Sequence, residues 1–121
     1  MNRALSYSKA ERSGRLAETA ALLLLMCKGY WPIATRVKTP RGEIDLIVRR
    51  GRTLVLVEVK RRARLEQGFH AISAQQQNRI MEAYQYWLSG HPSYADFTAR
   101  CDVVLSAPNR FPHHIENAFH L

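Results

Sequence analysis

The chain is short of cysteines, of acidic residues and of long apolar runs, and each shortage removes a class of function. Cys27 and Cys101 are the only cysteines in 121 residues. Each stands alone in an apolar stretch, so there is neither a zinc spacing nor a disulfide framework, and the pattern predicts two buried thiols in a cytoplasmic protein. The apolar run 20–27 is too short to cross a bilayer. The first fifteen residues, MNRALSYSKAERSGR, lack the apolar core of a secretory leader, so no membrane partner is expected. Repeats, low-complexity tracts and linkers are missing as well, which predicts one domain over 1–121 with residues 1–7 flexible. His70, His91, His113, His114 and His120 show no metal-binding spacing, and His113–His114 reads as an exposed loop. No helix-turn-helix, zinc finger or RNA-binding signature is visible, so sequence-specific reading of bases is not expected.

What is present is positive charge. Eighteen Lys and Arg against ten Asp and Glu give a net charge of +8. Such a field favours polyanions, chiefly nucleic acid or an anionic membrane surface.

The hydrophobic pattern predicts the order αβββαββ. A helix over 8–28 begins with Ser8 and Glu11 as a capping box and ends at Gly29. Strands follow at 33–38, 43–49 and 53–61, the last two as a hairpin, then a loop over 62–71 with a bend at Gly68. A second helix over 74–88 starts with Ser73 and Gln76 as another capping box, and Ile80, Ala83, Tyr84, Trp87 and Leu88 form its apolar face. Strands at 99–105 and 115–119 complete the chain. This order suits an α/β fold, a mixed central sheet with a helix on each face.

The hairpin carries the chemistry. Two strands of Ile, Leu and Val also contain Asp45, Glu58 and Lys60, and charges enter such strands only when paired, metal-bound or exposed. Alternation puts Glu58 and Lys60 on one face, their Cα atoms about 6–7 Å apart. A turn within 49–52 sets Asp45 opposite Leu56 and diagonal to Glu58, on that same face; a one-residue slip would reverse it. Two carboxylates make a hard oxygen site for Mg²⁺ or Mn²⁺, with the Val59 carbonyl as a further ligand. A neighbouring lysine can orient water or stabilise charge on a phosphoryl transition state. The plain alternative is a Lys60–Glu58 pair on a solvated face with Asp45 at a strand end.

At these residues the chain resembles the PD-(D/E)xK nuclease superfamily, of restriction-endonuclease-like fold, and more closely its YraN-like family of predicted bacterial endonucleases. The resemblance rests on GRLAE at 14–18, GY at 29–30, GEIDLI at 42–47, LVLVEVK at 54–60, the Gln-rich helix start at 75–79, RCDVV at 100–104 and ENAF at 116–119. It implies a three-layer core, Asp45 and Glu58 as metal ligands, Lys60 as the catalytic lysine, and Glu18 as an acidic residue reaching the metal through water. Gly14, on the stripe of Glu18 and Ala21, suggests a close backbone approach. Ile44 stands where the proline of the motif would be, and Gln76–Gln77 where the pattern usually has Lys-Gln. A glutamine there either bonds a phosphate or a metal-bound water, or belongs to a plain polar first turn.

The implied function is a metal-dependent endonuclease on nucleic acid, DNA favoured over RNA, on branched or damaged structures. The alternative is a nucleic-acid-binding protein with a weak or silent site. A homodimer is expected by analogy with Holliday-junction resolvases of the same fold. Arg61, Arg62, Gln76, Gln77 and Arg79 are the candidate phosphate contacts. Arg49, Arg50 and Arg52 at the hairpin turn, Arg36, Lys38 and Arg41 before Gly42, and Arg64 add charge. Asp102 reads as a structural partner for a basic residue.

Overall fold

The computed structural model describes residues 2–62 and 73–119, with backbone only for 2–13. The loop expected at 62–71 with its bend at Gly68, together with Arg64, His70 and His120, falls outside the described residues, apart from Arg62.

The expected order of elements is observed: α1 (Asn2–Cys27), β1 (Trp31–Thr39), β2 (Gly42–Arg50), β3 (Thr53–Arg61), α2 (Ala74–Ser89), β4 (Thr98–Ser106) and β5 (His113–Phe119). The five strands form one sheet in the order β1-β2-β3-β4-β5. Only β3 and β4 run parallel, with α2 between them in sequence; the other pairs are antiparallel.

Two apolar clusters sandwich the sheet. On one face Ala21 and Leu25 of α1, with Tyr30, cover Leu46, Val48, Val55, Val57 and Val104. On the other Ile80, Ala83, Tyr84 and Trp87 of α2 cover Ile47, Leu54, Leu56, Cys101, Val103 and Leu105. This is a helix–sheet–helix sandwich, and the strand residues sort between its faces by two-residue alternation.

Several local expectations are corrected. α1 starts at Asn2, not Ser8. No glycine or proline lies in 2–10 to stop it, so Ser8 is an interior residue of the helix and not its first. Its other end is as expected: Gly29, at φ +92°, closes a Schellman motif in which the Tyr30 N–H reaches the Leu25 carbonyl and the Gly29 N–H that of Met26. Gly14 allows no close approach, since a Cβ there would meet nothing within 4 Å. Cys101 is buried but Cys27 is exposed, near the end of α1. His113 and His114 belong to β5, and the His114 side chain is only 3% exposed.

The hairpin register differs too. Arg50 pairs with Thr53 and Ile47 with Leu56, a shift of two residues from the expected pairing. The turn is Gly51–Arg52, with Gly51 at φ +62° and Arg52 not at positive φ, which is the type II′ pattern of glycine in the first central position. A shift of two preserves the faces.

Candidate active site

The site forms where β2 leaves β3. Their ladder ends at Leu46–Val57. Across β1, Ala34 pairs with Ile47 and Val37 with Ile44, and all four pack on the α2 side. Each strand therefore changes phase once over three residues, and Arg36 and Asp45 lie in the two steps. Arg36 takes the left-handed conformation, φ +51°. Released from the ladder, Asp45 uses its own side chain to replace the missing strand bond: Oδ2 accepts the Val59 N–H at 2.8 Å.

Glu58 stands one residue before that N–H. Its Oε1 accepts from the Gln76 amide at 3.2 Å and lies 3.4 Å from the Lys60 ammonium. Gln76 comes from the first turn of α2. Its backbone N–H bonds the Ser73 hydroxyl, giving half of the expected capping box, while its side chain turns to Glu58 instead of back to the cap. Gly42 permits this closeness of β2 and α2, since a Cβ there would sit 2.8 Å from the Arg79 carbonyl oxygen.

Asp45 and Glu58 thus share a cleft of ≈ 570 Å³ with Glu43, Ser73, Gln76 and Arg79. Burial is the main force on both carboxylates. It raises Asp45 above its usual value; the Val59 N–H and Lys60 lower it, and Glu18 and Glu43 raise it further. It pushes Glu58 to about 7, with Asp45 adding to the rise and Lys60 opposing it. Oδ1 of Asp45 and Oε2 of Glu58 accept no hydrogen bond among the described residues.

The profile of the uncharacterised protein family UPF0102 matches residues 17–105, which include all of these groups. The chain belongs to this family. It is similar to a UPF0102 protein of Methylorubrum extorquens (strain PA1), 51% identical over 108 residues, covering 89% of this chain and 84% of that one. A UPF0102 protein of Rhodopseudomonas palustris (strain BisB18) is 48% identical over 110 residues, 91% and 82% of the two chains. One from Parvibaculum lavamentivorans is 48% identical over 110 residues, covering 91% and 83%.

The other site candidates of this UPF0102 chain lie around that cleft. Glu18 is outside it: it pairs with Arg36 at 3.0 Å and lines a separate hollow with Arg15, Thr35 and Leu46. Arg79 lines the cleft and Gln77 does not. Lys60, Arg61 and Arg62 border a different groove, past the end of β3. Among the described residues no three His, Cys, Asp or Glu side chains form a metal-holding group. The turn arginines pack elsewhere: Arg49 and Arg52 lie over the Phe97 ring, and Arg50 over Tyr30. Glu43 and Ser73 were not anticipated as cleft residues. Glu43 has a signal in sequence, two residues before Asp45, but one that cannot be told from a surface acid.

Asp102 lies on the α1 face and is 1% exposed. Arg100 grips both its oxygens, at 2.8 and 2.9 Å. The Asn117 N–H donates to Oδ1 at 2.9 Å, and His114 Nε2 lies 2.7 Å from Oδ2. Lys28 Nζ lies 2.6 Å from His114 Nδ1. An ammonium can only donate, so Nδ1 accepts and Nε2 carries the proton given to Asp102. Burial alone would raise the Asp102 carboxyl; these bonds hold it below its usual value.

Proposed function

We propose that this protein is a divalent-metal-dependent nuclease that hydrolyses phosphodiester bonds of nucleic acid, DNA by preference, at the Asp45–Glu58 cleft with Lys60 beside it. One observation carries the reading: two half-buried carboxylates face a single cleft, each with one oxygen that accepts no hydrogen bond among the described residues, and desolvation raises both pKa values, so the charged pair lacks a full counter-charge among those residues. A hard divalent ion supplies that counter-charge. Mg²⁺ suits a donor set of this size, because it is commonly held by one or two carboxylates and keeps several waters. Asp45 and Glu58 would hold it, with the Val59 carbonyl beside them. When bound, it would polarise the phosphodiester and acidify a water.

The remaining work falls to the chain. Lys60, 3.4 Å from Glu58, stabilises the charge that grows on the phosphoryl oxygens and orients the attacking water. The Val59 N–H fixes the rotamer of Asp45, and the Gln76 amide that of Glu58, so both ligands are set before substrate arrives. The cleft lies toward the carboxyl ends of the parallel pair β3 and β4, where α/β sheets tend to bind ligands.

The test is cleavage of branched, nicked, single-stranded and duplex DNA and of RNA under Mg²⁺ or Mn²⁺, together with Mn²⁺ titration. Asp45→Asn is expected to lose both cleavage and Mn²⁺ affinity while still binding nucleic acid. Lys60→Ala is expected to lose cleavage and keep Mn²⁺ affinity. Full activity of Asp45→Asn, or wild-type cleavage in EDTA, refutes the mechanism.

A further inference from the structure

Beyond Lys60 the surface changes sign. The carboxylate cleft is lined by three acids, Glu43, Asp45 and Glu58, and one arginine, Arg79. On the other side of Lys60 a groove of ≈ 930 Å³ runs between α1 and the segment joining β4 to β5. Among the described residues Lys60, Arg61, Arg62 and Arg110 line it, and no acidic residue does. Its remaining wall is largely apolar, with Leu16, Ala17 and Ala20 of α1 facing Ala107, Pro108 and Pro112.

Three details suggest what the groove takes. The Arg62 Nε is buried and has no hydrogen-bond partner among the described residues, a costly state unless a ligand oxygen completes it. Arg110 is held at the edge by a tight turn: Pro108 and left-handed Asn109, φ +58°, occupy its central positions, and the Arg110 N–H reaches the Ala107 carbonyl. Proline then asparagine is the type II signature, so the turn is set by sequence. Phe111, between the lining residues Arg110 and Pro112, is itself outside the lining and 90% exposed, and in the facing wall Leu16 is 70% exposed.

Cations beside exposed apolar surface are the two halves of a single-strand site, where phosphates follow the charge and bases stack on a ring. A duplex offers phosphates outward and hides its base faces, and would leave Phe111 and Leu16 in water. We infer that this groove, on the α1 side of the strand end that carries Lys60, binds an unpaired strand of nucleic acid, with its phosphates on Arg62 and Arg110 and a base on Phe111. Taken with the nuclease reading, on which its functional meaning rests, it makes the substrate one with a single-stranded segment beside the cleaved bond.

Binding can be measured without cleavage, in EDTA, with a fluorescent oligothymidylate of about 12 nucleotides and a blunt duplex of equal length. The wild type is expected to bind the single strand more tightly. Phe111→Ala should weaken single-strand binding by roughly tenfold and leave the duplex unchanged. Arg110→Ala should weaken single-strand binding and reduce the slope of log K against log salt by about 0.7. Unfolding temperature and Mn²⁺ affinity should stay at wild-type values in both variants. Equal binding by Phe111→Ala, or an equal loss on duplex, overturns the inference. The two readings fail separately: a protein that binds single strands through Phe111 but cuts nothing keeps the groove and loses the nuclease. One that cuts normally with Phe111→Ala neutral in binding does the reverse.

Discussion

Two groups of carboxylates are sunk into the same sheet on opposite faces, and burial penalises both. Asp102 on the α1 face receives a two-pronged arginine, a histidine and a backbone N–H, and its pKa falls. On the α2 face, Glu58 receives one amide and a lysine at 3.4 Å, stands near Asp45, and its pKa climbs to about 7. The difference lies in compensation, since depth alone would raise both. A buried acid whose lone pairs are all met is part of the framework. A pair of acids left open toward a cleft is a feature the fold tolerates at some cost in stability, and this contrast is what supports reading the α2 face as the functional one.

The contrast breaks most clearly at Asp102. Asp102→Ala strands the Arg100 guanidinium and the Asn117 N–H, and breaking a buried pair in this way costs about 3–5 kcal/mol. Urea unfolding should show that loss near neutral pH. Because the folded Asp102 carboxyl lies below its ordinary value of 3.8, its stabilisation is present above that pH. It fades as the pH drops through the lower folded value, so the gap between wild type and Asp102→Ala should narrow in acid.

Gly42→Ala is expected to cost up to about 3 kcal/mol by overpacking, since the new methyl would meet the Arg79 carbonyl oxygen at 2.8 Å. It sharpens the comparison by selectivity. Displacing the start of α2 should weaken the Glu58–Gln76 contact and divalent-ion affinity while leaving the Asp102 network intact, which NMR shifts of Glu58 and His114 would separate.

Glu58→Gln should move stability in the opposite direction from Asp102→Ala. The folded carboxyl is pushed up to about 7 from an ordinary value of 4.5. Between those values the folded chain holds a proton that the unfolded chain has released, so metal-free stability falls as pH rises through this window and levels off above about 7. Glu58→Gln removes that cost, and in EDTA at pH 8 should be more stable than wild type by on the order of 2 kcal/mol. The advantage should vanish at pH 4. Equal stability at pH 8 would mean that Glu58 is as well compensated as Asp102.

The order of elements and the faces of the sheet were legible because alternation and capping are local signals. The hairpin register was legible only to within two residues. Gly51 could serve in more than one short turn, and only its first-position role, which the Gly-X type II′ pattern would have suggested, selects the pairing observed. The site chemistry could be proposed from Asp45, Glu58 and Lys60, but not the way Asp45 reaches it. That depends on the phase change at Arg36 and Asp45, a cross-strand feature with no sequence marker. Asp102 was legible as the partner of a basic residue, which is Arg100, but the rest of its network was hidden for a similar reason. His114 looked like loop, and Lys28 and Tyr30 reach it only once α1 crosses the sheet. Glu18 pairing with Arg36 instead of entering the cleft likewise needs the bulged geometry of β1.

The smallest expected effect is also the most direct way to turn one cluster into the other. Asp102 is satisfied because a cation sits within hydrogen-bond distance on its own face; at Glu58 the matching position on α2 is held by a neutral amide, Gln76. Gln76→Lys puts an ammonium there on the same first turn. A lysine at this point favours the charged carboxylate, so the Glu58 pKa should drop from about 7 toward its ordinary value of 4.5. Metal-free stability at pH 8 should rise by less than about 1 kcal/mol, the usual scale for a pair near the surface. The same ammonium would compete with a divalent ion for the open charge, so Mn²⁺ should bind Gln76→Lys more weakly than wild type even though the ligands are untouched. Carboxyl-carbon NMR titration in EDTA, followed by Mn²⁺ titration, reads both effects on one sample. A lower pKa with weaker Mn²⁺ binding would tie the raised pKa to the ion site. A pKa that stays near 7 would mean that burial outweighs a cation at this position, and the missing cation on α2 would then not explain the contrast with Asp102.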